Sequence, residues 1–73
     1  MKKTLIKSDV AGVVNEICFS KGDMVKKGES LLFIESMKME IPIEAPFDSE
    51  IEEIFTKKDE VVSQNQPLLT LKS

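Results

Sequence analysis

Apolar residues in this chain come in short bursts broken by polar and turn residues. The segments near 3–7, 12–18 and 30–35 are rich in β-branched and large apolar residues, as are those near 40–44, 49–55 and 67–72, which is the composition of half-buried strands. Short pieces at Met24-Val25 and Val61-Val62 bring the expected total to about eight strands. No window sustains an i, i+3, i+4, i+7 pattern between breakers, which argues against helix. Pro42 falls inside a candidate strand, so that strand is expected at a sheet edge or with an irregular start.

The pattern is written twice. Displaced by 37 positions, the first half lies on the second without a gap: Glu16 meets Glu53, Ile17 meets Ile54, Lys21 meets Lys58 and Val25 meets Val62. Leu31-Leu32 meets Leu68-Leu69, while Val14 meets Ile51 and Ile34 meets Leu71. The turn residues agree as well. Gly28 pairs with Asn65 and Gly22 with Asp59, residue types that tolerate positive φ. Gly12 pairs with Ser49, a weaker replacement that predicts a less regular second half there. Neither half can bury its apolar face alone. The predicted fold is therefore all-β, a flattened barrel or sandwich of two four-stranded antiparallel sheets with quasi-two-fold symmetry.

The halves meet at Ile34-Glu35-Ser36-Met37-Lys38-Met39-Glu40-Ile41, too short for anything but a tight hairpin. A two-residue hairpin turn favours Asn-Gly or Asp-Gly, because both central residues need positive φ. The central pair expected here is Met37-Lys38, which has no such turn chemistry. A local rule broken where two otherwise consistent halves join points to function. An exposed lysine at a stiff apex is well placed for modification by another enzyme. Against that stands the plain alternative that a turn lysine is a solvated charge and its methionine neighbours cover apolar surface. A copper site built on the two methionines with Glu35 and Glu40 is a weaker reading.

Composition narrows the function further. The 73 residues make one domain, 1–73, with a small core. The chain has no His, Tyr or Trp, so the commonest general base is missing, and a core this small leaves little room for a pocket of about 300 Å³. Catalysis by the chain alone is not expected. A formal charge of −3, from 10 Lys+Arg against 13 Asp+Glu, argues against nucleic-acid binding. The basic opening Met1-Lys2-Lys3 is followed by no long apolar run, so neither a signal segment nor a membrane span is expected. The single Cys18 fits a reducing, cytoplasmic setting; its alignment with Phe55 predicts a core filler rather than a redox thiol.

Glu35-Ser36-Met37-Lys38-Met39 resembles the Glu-Ala/Ser-Met-Lys-Met signature of biotinyl domains, the biotin carboxyl carrier proteins. Gly22-Asp23-Met24-Val25-Lys26-Lys27-Gly28 resembles the family's Gly-Asp-x-Val-x-x-Gly stretch, and Ala45-Pro46 resembles the Ala-Pro after its hairpin. The likeness spans essentially the whole chain. It departs at Asp9, where such domains often carry proline, at Ser49, which replaces a usual glycine, and at Lys58-Asp59-Glu60, which replaces a Gly-Asp pair. These departures bear on the loops and leave the hairpin signature intact.

The resemblance implies a carrier, not an enzyme. Biotin would be attached covalently to Lys38, with Glu35, Ser36, Met37 and Met39 read by a biotin protein ligase that activates biotin as its adenylate. A biotin carboxylase would load the carried carboxyl group and a carboxyltransferase would pass it on. Lipoyl domains share the repeat and the hairpin lysine, but usually place an acid directly before it, so Met37 and Met39 favour biotin. An unmodified module like the lipoyl-like domains of efflux adaptors is the remaining alternative, and those typically lack this lysine signature.

Overall fold

The computed structural model describes residues 2–73; Met1 of the basic opening lies outside them. Eight strands follow one another: β1 (Lys3–Lys7), β2 (Gly12–Ile17), β3 (Met24–Val25), β4 (Ser30–Ser36), β5 (Met39–Glu44), β6 (Ser49–Ile54), β7 (Val61–Val62) and β8 (Pro67–Lys72). They form two four-stranded sheets, ordered β1-β8-β6-β3 and β5-β4-β2-β7, and every pairing is antiparallel. Among the described residues no helix is long and apolar enough to cross a membrane. Pro42 lies in the edge strand β5, where a missing N–H costs no ladder bond on the open side.

The core is assembled from repeat partners. Val14 and Ile51, Val25 and Val62, Leu31 and Leu68, Leu32 and Leu69, and Ile34 and Leu71 are all buried. Each apolar face is closed by its symmetry mate, as expected for halves that cannot fold alone.

The loops exchange between halves. The Gly22 N–H donates to the Ile51 carbonyl (2.8 Å), and Asp59, 37 residues on, donates to the Val14 carbonyl (2.8 Å). Gly28 donates to Ala45 and Asn65 to Ser8, each at 2.8 Å. Gly22 and Gly28 have φ of 93° and 90°, and Asp59 and Asn65 follow them at 73° and 69°. The replacements at Lys58-Asp59-Glu60 therefore keep the loop geometry. Carboxylate and amide side chains close these loops alike: Asp23 accepts from the Ser20 N–H (2.8 Å), Glu60 from the Lys57 N–H (3.2 Å) and Gln66 from the Ser63 N–H (2.9 Å).

The structure corrects two local expectations. At Ser49 the side chain is buried and its hydroxyl donates to the Phe47 carbonyl at 3.1 Å, whereas a Cβ on Gly12 would come within 2.4 Å of the Glu35 carbonyl oxygen. The strands themselves are equally regular, Gly12–Ile17 and Ser49–Ile54 each running six residues with a register shift at the equivalent place. Cys18 is exposed, not a core filler. Its alignment with Phe55 is sound, because Phe55 is also 51% exposed and both donate their N–H to equivalent carbonyls, Leu31 at 3.0 Å and Leu68 at 2.8 Å. The inward place belongs to the next residue of each half, half-buried Phe19 against the core and buried Thr56.

Candidate functional site

The hairpin between the halves is built from its base outward. Ile34 on β4 is fully buried and pairs with Ile41 on β5; beyond them Glu35 faces Glu40, and Ser36 faces Met39. Met37 and Lys38 alone close the turn, with φ of 52° and 66°. Positive φ at both central residues is the geometry whose twist matches antiparallel strands, here adopted by two residues that disfavour it. The burial of Ile34 and Ile43 fixes the register, since a one-residue slip would turn both outward.

Everything at the tip faces solvent. Met37 is 91% and Met39 64% exposed, and Lys38 is exposed between them. Lys38 enters no ion pair among the described residues, where Lys3–Glu52 is the pair formed. Of the residues singled out in the sequence, Glu35, Ser36, Met37, Lys38 and Met39 are thus brought together on consecutive positions of one tight hairpin, with Ser36 half-buried at its shoulder.

Two contacts near the base were not read from the sequence. Gly12 permits β2 to approach the backbone of Glu35, and Asn15 Nδ2 donates to Glu40 Oε2. The only signal for either is that each faces an unlike residue in the repeat, Ser49 and Glu52. Nearby, the Cys18 thiol is pushed above its usual pKa, first by partial burial and then by the charges of Glu16 and Glu40. No cavity and no group of three or more His, Cys, Asp or Glu able to hold a metal is found among the described residues. The site is a presented tip, not a cleft.

Comparison with known proteins fits that form. The biotin/lipoyl family model, that of biotin-requiring enzymes, matches residues 4–71. The chain belongs to that family. It is 36% identical over 62 residues to the biotin/lipoyl attachment protein of Bacillus subtilis, covering 85% of each. It is 34% identical over 64 residues to the alpha subunit of mitochondrial methylcrotonoyl-CoA carboxylase of Dictyostelium discoideum, covering 88% of this chain and 9% of that one. Among solved structures it superposes on a single-chain, multi-domain long-chain acyl-CoA carboxylase with a TM-score of 0.91 at 26% identity, covering 96% of this chain and 7% of the other. The biotin/lipoyl fold is thus spanned almost whole, and the large carboxylases only in small part.

Proposed function

We propose that residues 1–73 form a biotinyl domain in which Lys38 carries biotin in amide linkage and serves as a carboxyl carrier. The observation that carries this reading is the exposed Lys38 at the apex of a two-residue turn, flanked by exposed Met37 and Met39. The amine fits the attachment because it is free of ion pairs among the described residues and projects from a base anchored by buried Ile34.

The chain does no bond-making of its own in this reading. A biotin protein ligase supplies the base that an attacking amine needs, and reads the tip through Glu35, Ser36, Met37 and Met39. Attached biotin supplies a ureido nitrogen able to carry carbon dioxide between a biotin carboxylase and a carboxyltransferase. The domain provides a rigid stalk, and tethering holds the carried group at high effective concentration at both sites. The biotin-dependent carboxylase relatives support this role.

A second reading has one specific observation behind it. The Bacillus subtilis relative of similar length is named for both biotin and lipoate, so lipoyl attachment to the same lysine is the competitor. Incubation with a biotin protein ligase, ATP and biotin, and separately with a lipoate ligase and lipoate, decides by intact mass. One biotinyl group and no lipoyl group is expected; lipoyl as the only product would overturn the biotin assignment.

A further inference from the structure

The repeat contains a tether whose purpose differs between the halves. In β2 the register shifts between Val14 and Glu16, and in β6 between Ile51 and Glu53, so Asn15 and Glu52 occupy the same bulge position 37 residues apart. Each reaches over the next strand of its sheet to the edge strand beyond. Glu52 pairs with Lys3 Nζ at 3.2 Å, tying β6 to β1 across β8. Asn15 donates to Glu40, tying β2 to β5 across β4. Lys3 and Glu40 are themselves 37 residues apart. One half builds the link from an ion pair and the other from an amide and a carboxylate.

The difference lies beside the turn. Strand β5 is an edge, held on one side only. Glu40 directly opposes Glu35, a like-charge pairing that weakens the hairpin base. A lysine at position 15 would neutralise Glu40, whereas an amide holds the carboxylate and leaves its charge in place.

We infer that Asn15 is a positioning residue for modification of Lys38: its bond to Glu40 pins edge strand β5 and orders Met39 and Glu40 for the modifying enzyme. The inference rests on the biotinyl reading for the identity of that enzyme, and on the geometry of the bulge for everything else.

Hydrogen exchange of the unmodified protein and ligase kinetics test it together. In Asn15→Leu, amides of residues 39–41 should exchange about threefold faster or more. The ligase KM for the protein should rise about threefold or more, with kcat within about twofold. Asn15→Gln keeps an amide donor and should stay near the parent on both measures. The double variant Asn15→Glu with Glu40→Lys copies Glu52 and Lys3 and should restore slow exchange. Unchanged exchange in Asn15→Leu, or Asn15→Gln behaving like Asn15→Leu, overturns the tether. Faster exchange with an unchanged KM overturns the positioning role and leaves Asn15 a structural residue. If the parent chain takes up no biotin at all, the carrier reading fails and the role in attachment falls with it, while exchange separately decides the tether.

Discussion

A Cβ built on Gly12 would stand 2.4 Å from the carbonyl oxygen of Glu35 and 2.8 Å from Cγ2 of Ile34. Strand β2 therefore lies closer to the hairpin than any side chain at position 12 permits. The obstructing atom is backbone, so it cannot swing aside. Gly12→Ala is expected to destabilise the fold by about 1–3 kcal/mol. Gly28→Ala meets no neighbour within 4 Å but sits at φ 90°, and should cost about 1 kcal/mol through strain alone. Urea titrations rank the two, and Gly12→Ala should also loosen the tip, seen as faster exchange at Glu35.

The turn residues carry a stability cost that the proposed attachment role would account for. Met37 and Lys38 hold positive φ in positions that favour Asn and Gly. Replacing the pair with Asn-Gly is expected to stabilise the domain by about 0.5–2 kcal/mol while removing the proposed attachment site. Lys38→Ala, at an exposed position, should shift stability by no more than about 0.5 kcal/mol. A clear loss of stability in the Asn-Gly variant contradicts a strained two-residue turn.

Most of this architecture is legible in the sequence, because the same constraints act twice. The buried pairs Val14 with Ile51 and Leu31 with Leu68 repeat at a fixed offset, and Gly28 with Asn65 marks a shared positive φ. Alignment does not reveal which way an aligned pair points. Cys18 and Phe55 are equivalent yet both exposed, because each lies just past the end of its strand and the inward position falls to the next residue, Phe19 or Thr56. The hairpin lysine was legible through the broken turn rule and its resemblance to a known signature. The Asn15–Glu40 bond was not, since it depends on a bulge that shifts register by a residue, and period-two reasoning carries no sign of an extra residue.

The methionines beside Lys38 are expected to discriminate between cofactors. Both are exposed and apolar, offering a ligase contacts that an acid would not. Met37→Asp should slow biotinylation and open the tip to lipoylation. Equal biotinylation rates for parent and variant, assayed side by side, would remove Met37 from the set of recognised residues.

Cys18 gives a pH-dependent reporter close to the hairpin base. Burial, then Glu16 and Glu40, raise the thiol above its usual pKa, so the protonated form persists to higher pH in the folded chain. Alkylation followed against pH should show the reactive thiolate appearing later in the folded protein than in urea. Glu16→Gln should move the folded profile downward, by less than unfolding does, because burial is the larger cause. Coincident folded and unfolded profiles would contradict this.

The central claim is that Lys38 alone is the attachment point. It is tested most directly by peptide mapping of the protein after reaction with a biotin protein ligase, ATP and biotin, alongside Lys38→Arg. Of the chain's 10 lysine and arginine residues, none but Lys38 sits between two methionines, so a single biotinyl group on Lys38 and no streptavidin binding by Lys38→Arg are predicted. Biotin mapped to any other lysine, or a Lys38→Arg protein that still binds streptavidin, would contradict the account.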